Sequence, residues 1–377
     1  MQKKIIALAV AALASSAAFA QTNVTVYGVA DASFDVIDIS NSPSAANDFG
    51  MFNRVSANSS YIGFKGVEDL GNGLKAVFQI ESSVGLDSTG GTIAARDSYA
   101  GLSTGFGTVV MGNLTGPTRA LGAGLDVNAG ATGIGANSGI IGKIGSTATN
   151  CGKSTTCTSA FDTRWANTIA YISPNFAGVT AVAAYVADES KTREGQDNSA
   201  ALDTSRTTGF DVGVKWEGAG FMAGVAYNWF QVGNIAGSEA ANLRLGGSYK
   251  GAWGSVALMW EETEAERIAG NPAGTLLTAP NNKQQKWGVG ATFNIGKAAI
   301  IGQYYQALES DNVKNDGAFL AEVGAVYNFS KRTSLKAVYA YLDNEANAKF
   351  DFGVNAAGMT GSGSTAQGLQ VGVRHNF

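Results

Sequence analysis

Beyond the first twenty residues the runs that carry this chain's hydrophobicity repeat at nearly every second position, and that period rules out most folds. In the closing stretch, Leu369, Val371, Val373, His375 and Phe377 fall on one parity; Gln370, Gly372, Arg374 and Asn376 fall on the other. Leu74, Ala76, Phe78 and Ile80 alternate with a parity that carries Lys75, Gln79 and Glu81. Phe210, Val212, Val214 and Trp216 do the same around Lys215, as do Trp287, Val289, Ala291, Phe293 and Ile295 further on. Side chains alternate faces in a strand, whereas a helix would repeat near 3.6. The chain is built of strands.

The pattern predicts strands over 23–37, 54–68, 73–86, 95–103, 106–114, 164–173, 177–188 and 207–218. It continues over 220–231, 240–251, 253–264, 283–295, 298–308, 317–329, 332–343 and 366–377, which makes sixteen. Most approach or exceed the ~9–11 residues that a tilted strand needs to cross a bilayer. Short links such as 69–73 (DLGNG), 217–220 (EGAG) and 294–297 (NIGK) carry the Gly and Asn of hairpin turns. Long polar connections at 38–53, 115–163, 189–206, 265–282 and 344–365 alternate with them. Short at one end and long at the other is the layout of an outer-membrane barrel.

A soluble sandwich would show the same period, so the chemistry of the two parities decides. One parity is apolar and aromatic, and aromatics gather near strand ends: Tyr27, Trp165, Trp216, Trp229, Trp253, Trp260, Trp287, Phe329 and Phe377. That is the expected girdle of a barrel at the membrane interfaces. The opposite parity is polar, which accounts for a mean hydropathy near zero. Only closure lets strands survive in lipid. The fold class is therefore all-β, a 16-stranded antiparallel transmembrane β-barrel.

The first twenty residues read as a signal peptide: Lys3 and Lys4, an apolar run from Ile5 to Leu13, and the Ala18-Phe19-Ala20 cleavage signature. The alternative, a membrane anchor, needs about 20 apolar residues, more than this run supplies. The expected domains are thus 1–20, signal peptide, and 21–377, barrel. Cleavage moves the formal charge from −4 to −6, and no basic block points to nucleic acid. Catalysis by a Ser-His-acid site would rest on His375, the one histidine, placed on the lipid parity two residues from the end. The chain does not read as an enzyme, and no cofactor is expected. Cys151 and Cys157 enclose a short loop. In an exported protein they are expected to pair as an intramolecular disulfide, whereas two cysteines without a nearby histidine do not complete a zinc set.

The blocks 59–81 (SSYIGFKGVEDLGNGLKAVFQIE), 96–113 (RDSYAGLSTGFGTVVMGN), 167–179 (NTIAYISPNFAGV), 323–342 (VGAVYNFSKRTSLKAVYAYL) and the terminal VGVRHNF resemble the trimeric general porins of beta-proteobacteria and neisseriae. The resemblance spans the mature chain. It implies a homotrimer in the bacterial outer membrane, in contact with its lipid and lipopolysaccharide, passing ions and small hydrophilic solutes. It also implies that a long third loop folds inward as a constriction loop, and that Phe377 closes the barrel and is read by the barrel-assembly machinery. The other reading is a barrel whose exposed loops serve as an adhesin or host-interaction surface.

In such porins arginines on the wall face the constriction loop, and Arg96 and Arg164 match two of those positions, while Tyr61 stands where some members carry a third basic residue. By parity, Arg96 runs with Ser98 and Ala100, opposite Tyr99. Arg164 runs with Ala166, Thr168 and Ala170, opposite Trp165, Ile169 and Tyr171. Both are expected in the lumen, with Lys65 and Lys75 as further wall charges. The loop 115–163 brings Arg119, and its carboxylates are Asp126 and Asp162 alone. The pore constriction is therefore expected at Arg96, Arg164, Arg119, Asp126, Lys65 and Lys75, with a weak anion preference. The alternative is that these are ordinary solvated lumen charges, the reading preferred for Arg244, Lys286, Glu322 and Arg374.

Overall fold

A computed structural model of the chain describes residues 23–42, 48–143, 161–187, 207–232, 239–265, 282–359 and 361–377. The expected signal peptide and the Cys151–Cys157 pair lie outside the described residues. The strands are β1 (Asn23–Ser40), β2 in two segments (β2a, Gly50–Ser56; β2b, Tyr61–Gly71), β3 (Leu74–Ser83), β4 (Ser98–Thr104) and β5 (Gly107–Thr115). A helix, α1 (Pro117–Gly124), opens the long connection that follows β5. Then come β6 (Arg164–Ile172), β7 (Val179–Val186), β8 (Thr207–Gly218), β9 (Phe221–Val232), β10 (Glu239–Gly251) and β11 (Gly254–Ala265). The last five are β12 (Asn282–Ile295), β13 (Ala298–Ala307), β14 (Ala318–Asn328), β15 (Thr333–Asn344) and β16 (Thr365–Asn376).

Each strand pairs antiparallel with its neighbours in sequence, and β1 pairs with β16 from Val29↔Asn376 to Ser40↔Thr365, so the sheet closes. The sixteen crossings fall on the sixteen stretches that alternation marks. The second crossing is interrupted at 57–60, where Asn58 (φ 29°) and Ser59 (φ 59°) leave the extended region. Side chains replace the missing ladder there: Asp31 N donates to Ser60 Oγ at 2.9 Å, and Asn58 Nδ2 donates to Asp31 Oδ1 at 3.0 Å.

The apolar parity faces outward. Phe34, Ile80, Trp216, Phe221, Leu258, Trp287, Phe293, Val371 and Val373 are all exposed, an apolar belt that water would not tolerate and hydrocarbon does. Tyr27 departs from the expected girdle: its hydroxyl donates to Glu81 Oε1 at 2.9 Å inside the barrel.

The core sits inside the lumen. Leu121, Leu125, Ile134, Ile140 and Ile141 of the connection after β5 pack with Ile37, Ile39, Tyr305, Leu320 and Leu342 of the wall. Phe350 and Phe352, from the connection between β15 and β16, join the same cluster. That second connection is thus not a plain polar surface loop. Arg54 donates to the carbonyls of Asn355 and Ala356 and holds it against β2a.

The C-terminus is tied down by closure. Phe377 N donates to Gly28 O and Gly28 N donates to Phe377 O, both at 3.1 Å. The Phe377 ring lies so close over Gly28 that a Cβ there would stand 2.5 Å from Cζ, which accounts for glycine at that position. Phe377→Asp is expected to lower outer-membrane assembly and leave protease-sensitive chain in the periplasm, because it puts a charge where the strand meets lipid. Surface biotinylation and heat-modifiable mobility measure this; unchanged assembly would show that closure does not need the ring.

Candidate functional site

The site is made by one long connection folding back into the barrel. α1 begins with Pro117 at a position where a missing amide costs nothing. Asp211 of β8 then accepts from Thr118 N (3.2 Å) and Thr118 Oγ1 (2.7 Å), a carboxylate at a helix N-terminus supplied by the wall. Further along, Asp126 accepts from Asn128 N (2.7 Å), Asn137 N (2.6 Å) and Gln303 Nε2 (3.2 Å). Lys336 Nζ donates to Thr132 O at 3.1 Å.

The strongest anchor is a buried ion cluster. Arg244 of β10, fully buried, donates through Nη1 to Asp162 Oδ1 (2.8 Å) and to Thr118 O (2.7 Å). Its Nε and Nη2 reach Glu261 Oε2 at 2.9 and 2.7 Å. Glu261 Oε1 accepts from Gly142 N at 2.7 Å and lies 3.5 Å from Lys286 Nζ. Residues 118, 142 and 162 of the loop are thereby held to three adjacent strands. A second clamp joins the two inward connections: Lys143 Nζ donates to Gly139 O (2.8 Å) and Asp351 O (3.1 Å), and burial pushes its pKa down to about 8.

Because the loop lies against the wall from β8 round to β1, open space remains beside β2b–β6. It is a cavity of about 660 Å³ that Arg96, Arg119, Arg164 and Arg374 line together with Asp87 and Asp162. Arg96 Nε pairs with Glu81 Oε2 at 3.3 Å, and Arg164 Nε with Asp97 Oδ2 at 3.1 Å. Arg119 donates to the Asp162 carbonyl. Arg374 reaches Asp31 Oδ2 at 2.9 Å. Burial and the neighbouring Arg164 both pull the pKa of Arg96 below its ordinary value. Burial raises that of Asp97, but the Arg164 charge and the hydrogen bonds from Thr115 outweigh it and hold the carboxyl low.

The placements differ from the sequence reading in several respects. Arg96 lines the cavity, but not through the alternation that argued for it. Tyr99 turns inward, its hydroxyl on Gln79 Oε1 at 3.3 Å, and Arg96 swings in from a bend before β4. Arg164 lines the cavity while Trp165, expected on the outer face, is buried against Phe161 and Phe230. Asn167 (φ 53°) and the register shift between Gly112 and Leu114 reset the phase there. Asp126 is not a counter-charge across the pore, because it is spent inside the loop and on Gln303. Lys65 and Lys75 lie outside the cavity lining: Lys65 sits 4.8 Å over the Tyr27 ring, and Lys75 is exposed near the short-turn end. Arg374, read as an ordinary charge, is at the cavity. Arg244 and Lys286 are structural ions rather than solvated ones, and Glu322 is buried, accepting from Asn128 Nδ2 at 2.7 Å. The aromatic pair in Lys349-Phe350-Asp351-Phe352 is the sequence signal for the second inward connection.

Comparison with known proteins supports the same architecture. The family model described as Gram-negative porin matches residues 7–347. Outer membrane porin protein 32 of Delftia acidovorans is 30% identical over 387 residues, covering all of both chains. Major outer membrane protein P.IB of Neisseria lactamica is 29% identical, again over the whole of both. Among solved structures, an anion-selective porin from Comamonas acidovorans superposes with a TM-score of 0.75 at 27% identity, covering 95% of this chain and 100% of that one.

Arg244→Met is expected to loosen the inward loop, since it takes the guanidinium from the buried Asp162 carboxylate and from Glu261 Oε2 and leaves Lys286 as the cation beside Glu261; removing one partner of a buried ion cluster costs about 3–5 kcal/mol. Single-channel recording should show larger and noisier conductance steps than wild type; quiet steps of unchanged size would mean that the ion cluster does not hold the loop.

Proposed function

Because this chain belongs to the Gram-negative porin family and is an outer-membrane channel, we propose that it is a trimeric general diffusion pore with an anion preference set at the Arg96–Arg164 cavity. The observation that carries the reading is the composition of that cavity: four arginines meet two carboxylates, Asp87 and Asp162. Asp162 is itself engaged by Arg244 at 2.8 Å. In a narrow passage flanked by protein, fixed charges are poorly screened and set the potential that an ion meets. The similarity to the anion-selective porin from Comamonas acidovorans supports the sign. Chloride and other small anions then pass more readily than potassium although the whole chain is net negative, because Glu81, Asp97 and Asp31 stand behind the arginines that they hold and only Asp87 and Asp162 join those arginines in lining the cavity.

The constriction residues in this reading are Arg96, Arg119, Arg164 and Arg374, with Glu81 and Asp97 holding the first and third. An enzymatic role has no support in the site: the one histidine, His375, is exposed and meets Thr333 Oγ1 at 2.9 Å. The adhesin alternative gains nothing from a lumen arranged around an open, charged passage. Export through a cleaved leader at Ala20, assembly by the barrel machinery through the Phe377 end, contact with lipopolysaccharide, and a Cys151–Cys157 disulfide belong to the same proposal.

In planar bilayers with a potassium chloride gradient, the wild-type zero-current potential should carry the anion-selective sign. Arg96→Glu combined with Arg164→Glu should swing it toward cations by more than Lys65→Glu combined with Lys75→Glu; equal shifts would place selectivity elsewhere. The purified protein should also run as an oligomer that resists SDS and collapses on boiling, with a trimer mass by light scattering in mild detergent. A monomer mass there would remove the trimer.

A further inference from the structure

Beside the arginines, the wall of the passage carries a run of aromatic rings. The Arg96 guanidinium lies 4.4 Å from the centre of the Tyr61 ring. Tyr61 meets Tyr27 edge-on, with centroids 6.2 Å apart and planes at 77°. The Lys65 ammonium lies 4.8 Å from the centre of the Tyr27 ring. Register orders these groups along the pore: Tyr61 stands opposite Val29, Gly63 opposite Tyr27 and Lys65 opposite Thr25. Since β2b runs from Tyr61 to the tight turn after Gly71, the series Arg96, Tyr61, Tyr27, Lys65 descends from the cavity toward the short-turn end.

The series is held in place. A Cβ at Gly63 would stand 2.5 Å from Tyr27 Cζ, so the ring lies against bare backbone. The Tyr27 hydroxyl donates to Glu81 Oε1 at 2.9 Å, and Glu81 Oε2 binds Arg96 Nε at 3.3 Å. One buried carboxylate thus sets both the ring and the guanidinium. Among the described residues, Arg96 and Arg164 engage their carboxylates through Nε, which leaves their terminal nitrogens for an oxyanion.

We propose that this alternation of cations and rings is a specificity element of the pore for small aromatic acids in their anionic form. The oxyanion binds the terminal nitrogens of Arg96 and Arg164, and the solute's ring packs against Tyr61 and Tyr27 in the offset or edge-on geometry that aromatic pairs favour. Lys65 over Tyr27 supplies the next positive charge on the way out, with its own cation–ring contact in place. An aliphatic ring of the same size and charge meets the charges alone. The inference rests on the anion preference proposed above.

The test uses the trimer in planar bilayers under bi-ionic conditions, with benzenesulfonate and cyclohexanesulfonate as probes, both charged at every working pH, and chloride as reference. Wild type should pass benzenesulfonate over cyclohexanesulfonate by roughly threefold, the size of a modest ring contact. Tyr27→Leu with Tyr61→Leu should abolish that difference while the chloride-to-potassium ratio stays anion-selective. Tyr27→Phe with Tyr61→Phe, which keeps both rings, should retain it, and this variant also controls for damage to the wall. Equal permeation of the two probes in wild type, or discrimination that survives the leucine variant, overturns the proposal. A wild-type channel that prefers potassium to chloride overturns the anion preference beneath it, so the two failures are distinct.

Discussion

A strand in hydrocarbon cannot leave its amides unpaired, and the rest of this molecule follows from how that demand is met. Closure between β1 and β16 satisfies the last edge, and it reaches the final residue through the reciprocal Gly28–Phe377 bonds. With the edge removed, one parity of every strand must suit lipid and the other is free to be polar. The interruption at 57–60 is tolerated because it lies where Asp31, Asn58 and Ser60 can complete the bonding from inside.

A closed wall of sixteen strands encloses more space than side chains fill. Here the surplus is divided unevenly. The connections after β5 and β15 fill the side that runs from β8 round to β1 with an apolar cluster and with ions that are neutralised in place. Arg244, Glu261, Lys286 and Asp162 are thus structural, and their burial is affordable only because each charge has a partner. The open remainder is pressed against β2b–β6, where Arg96 and Arg164 stand.

Strand number, the place of each crossing and most outward faces were legible in the sequence because period two is enforced along most of each membrane crossing; Tyr27, Tyr99 and Trp165 are the departures. The Arg96 and Arg164 neighbourhood was legible in location but not in cause. Alternation carries no record of a bend at 96–97 or of the left-handed Asn167, and each resets the phase that the parity argument assumed. Asp126 was misread for another reason: nothing local says that a loop carboxylate will be consumed by Asn128, Asn137 and Gln303, a partner 177 residues away. Arg374 shares the inward parity of its strand with several bystanders, and only the three-dimensional position of the loop separates it from them. The inward turn of 345–359 left a trace in Phe350 and Phe352, two aromatics in a segment that water alone would not favour.

The withdrawal of Asp126 into the loop changes how the passage treats uncharged molecules. A pore with acids on one wall and bases on the other has a field running across it, and that field turns a polar molecule broadside or end-on before it can pass. Here the loop side offers no row of carboxylates opposite the arginines, so the field comes from one wall alone and turns a dipole less than two opposed rows would. For an uncharged solute, cross-section then weighs more in such a passage than the direction of its dipole moment.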